Sequence, residues 1–262
     1  MIRALYTAAS GMNAQQANID NIAHNLANVG TTGFKKSHVE FEDLVYDQTR
    51  VAGAPTSSVD QSPTGLETGL GVRPVATARD FGRGNLRLTN APMDLAIEGD
   101  GFFQVQLPSG EVGYTRAGAF HVNGEGLLVT NDGYAVQPAI TIPAGTTSTS
   151  ISRDGIVSVV VAGQSAAQQV GTLETATFNN PSGLRAVGGN VFLPTTASGE
   201  PSTGTPGTES RGPIAQGFLE DSNVSVVEEM VQMILGQRAY EANSKVVKAA
   251  DDMLQQVNSI VR

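Results

Sequence analysis

Apolar residues recur at every seventh position at both ends of this chain, and neither end contains a proline. At the N-terminal end Leu5, Met12, Ile19 and Leu26 form one column, and Met1, Ala8, Gln15, Ile22 and Val29 form a second. At the C-terminal end the column is Val226, Met233, Tyr240, Val247, Leu254 and Val261, flanked by Glu229, Gly236, Asn243, Ala250 and Val257. A period of seven keeps one narrow seam turned toward a neighbouring helix, so it selects a helical partner over a sheet. The chain is therefore expected to begin and end in long helices that form a coiled coil. Gly30 is placed to cap the first, and Ser225 with Glu228 fits a capping box that opens the second.

The rest of the first helix is polar but almost uncharged: Thr7, Ser10, Asn13, Gln16, Asn18, Asn21, Asn25 and Asn28. A solvated helix face normally carries Lys and Glu. An uncharged polar face suits packing among identical copies, where like charges would repel.

Between the helices the periodicity changes. Gly101–Leu107 runs into a Pro108-Ser109-Gly110 turn, and the segments 127–130 and 134–137 face each other across Asn131-Asp132-Gly133. Asp154-Gly155 introduces the run 156–161. Short strands punctuated by Gly, Asn and Asp, with no helices between them, predict an antiparallel barrel or sandwich. Residues 51–71 and 195–213 are rich in Gly, Pro, Ser and Thr and read as linkers. The expected class is thus α+β: a terminal helical coiled-coil domain (1–30 and 223–262), an extended arm (31–75), a β domain (76–194) and a return linker (195–222).

Composition narrows the function. With 16 Lys+Arg against 25 Asp+Glu, the net charge is −9, which opposes binding to nucleic-acid phosphates. There is no cysteine, so no disulfide framework, thiolate metal site or Cys nucleophile is expected. No stretch approaches the ~18 apolar residues that cross a bilayer, and residues 1–7 do not open onto the apolar core of a cleavable signal. His24, His38 and His121 lack metal-ligand spacing, and the Gly-X-Gly pieces extend to no phosphate-binding loop. Asp94, Glu98 and Asp100 read as turn chemistry, with no second polar group bound to converge on them. The Asn223-Val224-Ser225 sequon serves better as a helix start. No catalytic residue, metal site or cofactor is expected.

Several strings resemble one family. Asn25-Leu26-Ala27-Asn28-Val29-Gly30-Thr31-Thr32-Gly33-Phe34-Lys35-Lys36 is similar to the N-terminal signature of bacterial flagellar rod and hook proteins. Asp94-Leu95-Ala96-Ile97-Glu98-Gly99-Asp100-Gly101-Phe102-Phe103 and Tyr114-Thr115-Arg116-Ala117-Gly118 resemble its β-domain motifs. Ser222-Asn223-Val224, Glu228-Glu229-Met230 and Gln237-Arg238-Ala239-Tyr240-Glu241-Ala242-Asn243 resemble its C-terminal motif. Within the family, the length and the arm after Tyr46 are most similar to the distal-rod branch, ahead of the proximal rod and the hook. His24 departs from the Asn common there.

The resemblance implies a structural subunit that polymerises helically into a straight hollow shaft transmitting torque through the periplasm. It implies export by the flagellar type III apparatus, and contacts with proximal rod proteins, hook-side axial proteins and the basal-body rings. It implies no nucleic-acid partner and no membrane insertion. Leu5, Met12, Ile19 and Leu26 are expected to pack against Val247, Leu254 and Val261 within a subunit, with neighbouring subunits covering the rest; Tyr240 is counted with them among the subunit-assembly residues of the helices. The family motif residues are Asn25, Leu26, Ala27, Asn28, Thr32, Gly33 and Phe34. A β-rich adhesin or sugar-binding module is the rival from another class, but Trp is absent and Tyr numbers only 5.

Overall fold

The computed structural model describes residues 2–53, 63–163 and 166–260. A helix, α1 (Ile2–Ala27), opens the chain, a long β-rich region follows, and a second helix, α2 (Val226–Ile260), closes it. The fold is α+β. The chain divides into a helical unit (residues 1–27, 37–78 and 225–262) and a β unit (residues 28–36 and 79–224).

In the helical unit α1 and α2 run antiparallel. Asn25 donates to Glu229 across the pair, Ile19 and Gln15 lie against Gly236, and Gly11 lies against Asn243. As the contacts climb α1 they descend α2 at the same pace, so the helices lie side by side without slipping. Two short antiparallel pairs complete the unit. Strand Ser37–Asp43 pairs with Val72–Arg79, and Tyr46–Arg50 pairs with Leu66–Gly69. The stretch expected as an arm is therefore built largely from paired strands, with residues 54–62 outside the described residues.

The first helix ends two residues before the expected Val29, and Gly30 does not take the left-handed cap. Two successive turns replace the helix instead: the Thr31 N–H donates to the Asn28 carbonyl at 3.1 Å and the Phe34 N–H to that of Thr31 at 3.2 Å. The left-handed residue is Gly33, at φ 70°. Its N–H donates at 2.7 Å to the Glu220 carbonyl, which draws the chain off the helical path.

The β unit centres on an antiparallel sheet around Phe102–Gln106. That strand pairs with Val112–Thr115 on one side, and with Ala135–Gln137 and Thr175–Thr177 on the other. The strand path ends at Arg185–Gly188 and at Phe120–Val122, each with a single neighbour, so the sheet is open. This corrects the barrel half of the barrel-or-sandwich expectation: among the described residues no strand pairing joins the two ends. Strands Thr146–Ile151, Ile156–Val161 and Gln168–Thr172 form a separate sheet. Residues 195–222, linker-like in composition, contribute strands Ser202–Gly204, Ile214–Gln216 and Phe218–Glu220.

Strand alternation explains the core. Successive side chains leave a strand on opposite faces, and Phe102 and Phe103 accordingly feed different clusters. Phe103 packs with Leu95, Ile97, Phe120, Val136 and Ile140. Phe102 packs with Tyr114, Phe178 and Phe192, and Phe81 meets it edge-on at 5.4 Å. The Asp94–Phe103 string thus spans the root of both clusters.

Candidate assembly site

The helical unit buries one face of each helix and leaves others bare. On α1, Ala8, Ala14, Ile22 and Asn25 are buried, whereas Leu5, Met12, Ile19 and Leu26 are half-buried. On α2 the buried or half-buried residues include Glu229, Met233, Gly236, Ala239, Asn243, Ser244, Val247, Ala250 and Leu254. The column of small and polar residues therefore lies against α1 together with Met233, Val247 and Leu254. Small residues there let the backbones approach. A Cβ on Gly236 would sit 3.2 Å from Ile19 Cγ1, and one on Gly11 would sit 2.8 Å from Asn243 Nδ2. Tyr240 stays exposed, and Val261 lies outside the described residues.

Asn25 closes this unit. Its amide accepts from the Ser37 N–H at 3.0 Å and donates to the Ser37 carbonyl at 2.8 Å, as a strand neighbour would. It also donates to Glu229 at 3.3 Å. Of the rest of the N-terminal signature, Ala27 is exposed, Asn28 and Thr32 are half-buried, and Gly33 and Phe34 are buried.

The opposite face of α2 is apolar and open. Val227 is 73% exposed, and Met230, Val231, Ile234 and Leu235 are all about half or more exposed. Their spacing sets them on one stripe, turned away from the face that meets α1. Val246, Met253 and Val257 are further exposed apolar residues along the helix, and Tyr6 is exposed on α1. Contiguous exposed apolar surface of this kind marks a contact site.

A cluster of buried charge lies inside the β unit. The Glu220 carboxylate, 1% exposed, accepts from Lys35 Nζ at 2.6 Å, from Arg116 Nε at 3.0 Å and from the Gly84 N–H at 2.9 Å. Lys35 also donates to the Gly82 carbonyl at 2.7 Å. Arg116 reaches the carbonyls of Gly99 at 2.9 Å and Gly101 at 2.6 Å. Burial pulls the Lys35 ammonium below its ordinary value of 10.5, against the opposing pull of Glu220. Sequence reasoning missed this cluster. Its signal was slight: Lys35 directly follows Phe34, and Glu220 directly follows Phe218-Leu219. Three of the strings quoted for the family resemblance supply members of it: Lys35 from the first, Gly99 and Gly101 from the second, and Arg116 from the third.

Among the described residues no cluster of His, Cys, Asp or Glu is placed to hold a metal, and no helix is long and apolar enough to cross a membrane. Two antiparallel helices with a bare apolar flank, in a chain that also carries a β unit with no metal cluster among the described residues, have the features of a structural subunit. Three family models match: the flagella basal body rod protein over residues 5–35, the flagellar hook protein FlgE/F/G D1 domain over 96–159, and the flagellar basal body rod FlgEFG protein C-terminal region over 215–260. The chain is 49% identical to a flagellar basal-body rod protein FlgG of Buchnera aphidicola, covering 98% of this chain and 99% of that one. It is 48% identical to the FlgG of Borreliella burgdorferi and 38% identical to that of Bacillus subtilis, each over the full length of both chains. The chain belongs to the FlgG family of flagellar basal-body rod proteins, and it is a structural subunit of the distal rod.

Proposed function

We propose that α1 and α2 pair as a coiled coil whose bare flank is covered by neighbouring copies, and that this stacking builds a rigid hollow shaft carrying torque across the periplasm. The exposed stripe Val227, Met230, Val231, Ile234 and Leu235 carries the reading, because an isolated subunit leaves it in water. Contacts that repeat head to tail without closing generate a filament. Leu5, Met12, Ile19 and Leu26, half-buried within one chain, keep surface for those neighbours, as do Tyr240, Val247 and Leu254. Proximal rod subunits, hook-side axial proteins and the basal-body rings are the partners this reading assigns to the ends and sides of the shaft. The β unit is the part that folds before assembly, and the helices gain most of their stability on joining it.

Leu26→Asp tests this. Burying a carboxylate in a packed seam is costly, so the variant should keep the wild-type melting of the β unit but form no polymer when concentrated. Polymers of normal length from Leu26→Asp would overturn the reading.

A further inference from the structure

The backbone enters or leaves the β unit beside Lys36, Arg79 and Val224, as well as at Asn28. Three residues at or next to the first three crossings are bonded to one another. The Lys36 N–H donates to Asn223 Oδ1 at 2.7 Å, Asn223 Nδ2 donates to the Asp80 carbonyl at 2.9 Å, and the Asp80 N–H donates to the Lys36 carbonyl at 2.9 Å. The bonds form a closed triangle. Asn223 Nδ2 also reaches the Gly82 carbonyl at 3.2 Å, the same carbonyl that Lys35 holds at 2.7 Å. The triangle is thereby tied to the buried Glu220 cluster.

We propose that Asn223 is the pin of a three-way clamp that makes these crossings act as one strut, and that this clamp sets the stiffness of the assembled shaft. A single covalent crossing bends and twists about its own φ and ψ. Three crossings fixed to each other at their roots cannot rotate independently, so bending one requires straining the others. Asn suits the position because a planar amide offers an acceptor and two donors from one short side chain. The N–H and C=O it serves belong to backbone that has left its own strand, so neither has a ladder partner at that point.

The inference rests on the rod-subunit reading, and polymers of the full chain test it. Asn223→Ala removes every side-chain bond of the pin, whereas Asn223→Asp keeps the acceptor for the Lys36 N–H and loses the donors to Asp80 and Gly82. Electron microscopy gives persistence length, and circular dichroism gives the melting of the β unit. The expected result is wild-type polymers that are straight, Asn223→Ala polymers with a persistence length at least about twofold shorter, and Asn223→Asp between them. A merely structural residue would shift the melting and leave the stiffness unchanged, which overturns the clamp. So would Asn223→Ala chains that melt normally but do not polymerise, since the residue would then be an assembly contact. Should Asn223→Ala unfold, Asn223→Asp decides, and polymers as stiff as wild type refute the proposal. A wild-type chain that forms no polymer at all refutes the rod-subunit reading instead.

Discussion

Replacing Glu220 by Gln should destabilise the β unit by about 3–5 kcal/mol, the cost of stranding buried charge. The amide matches the carboxylate in size, so no cavity opens. What changes is the charge balance: Lys35 Nζ and Arg116 Nε, at 2.6 and 3.0 Å, would face a neutral group that brings an N–H2 of its own. One of the donors now held by the carboxylate is left without an acceptor. For a unit of roughly 150 residues such a loss lowers the melting temperature by about 10 °C. Lys35→Met is gentler, because Glu220 keeps Arg116 and the Gly84 N–H; a cost of about 1–3 kcal/mol is expected. The double variant should cost less than the two single costs combined, since each single change strands the partner's charge. Urea unfolding followed by far-ultraviolet circular dichroism gives the three values. The buried Tyr114 supplies a near-ultraviolet signal in a chain without Trp. A loss under about 1 kcal/mol for Glu220→Gln, or strict additivity in the cycle, would refute the account.

Gly236→Leu should prevent close pairing of the helices and abolish polymer, because even a Cβ lies 3.2 Å from Ile19; Gly236→Ala, which gains ~1 kcal/mol in helix propensity, should assemble. Gly71→Ala should loosen the arm from α1 by about 1–3 kcal/mol, because φ is 126° and the new methyl would strike Ser10, whose hydroxyl accepts the Val72 N–H; faster proteolysis near residue 71 reads it. Asn25→Ala should expose the Ser37 amide to hydrogen exchange in assembled polymer, at a cost of about 1–3 kcal/mol, by removing both backbone bonds of a buried amide. For Lys35, whose folded value lies below 10.5, the unfolded chain holds the extra proton in the window between the two values. Stability in that window therefore rises with pH by this group's contribution, and the rise should be absent from Lys35→Met and so appear in the difference between wild type and variant.

The helices were the most legible part, because a seven-residue period survives any context, and α1 and α2 fall within a few residues of expectation. Which column of α2 would face α1 was less legible. Apolar content favoured Met233, Tyr240 and Val247, yet Gly236, Asn243 and Ala250 share the face, since backbone proximity rewards small residues and Tyr240 is too bulky to enter. The strands at Phe102–Gln106 and Ile156–Val161 were readable from their bounding turns. How far the sheet would close was not readable, because closure depends on pairings between distant strands that leave no local pattern. Residues 195–213 have the Gly, Pro, Ser and Thr content of a linker, while the strand Ser202–Gly204 within them and Phe218–Glu220 beyond them gain their order from long-range partners.

The Glu220 cluster raises a question of economy, since well-packed apolar side chains often hold a core as firmly as buried ions do. The partners explain the choice. Apart from one another, Lys35, Arg116 and Glu220 bond to backbone groups of Gly82, Gly84, Gly99 and Gly101. At Gly84 an added Cβ would collide with the Asp221 carbonyl, and at Gly33 with the backbone of Ala117. Segments that approach this closely have no room for side chains, so apolar packing has nothing to grip. Charged groups that reach backbone N–H and C=O directly can fix such segments, because charge-assisted bonds are short and directional. The same logic extends to Asn223, which reads only backbone on Lys36, Asp80 and Gly82. Polar side chains here locate bare chain within the β unit.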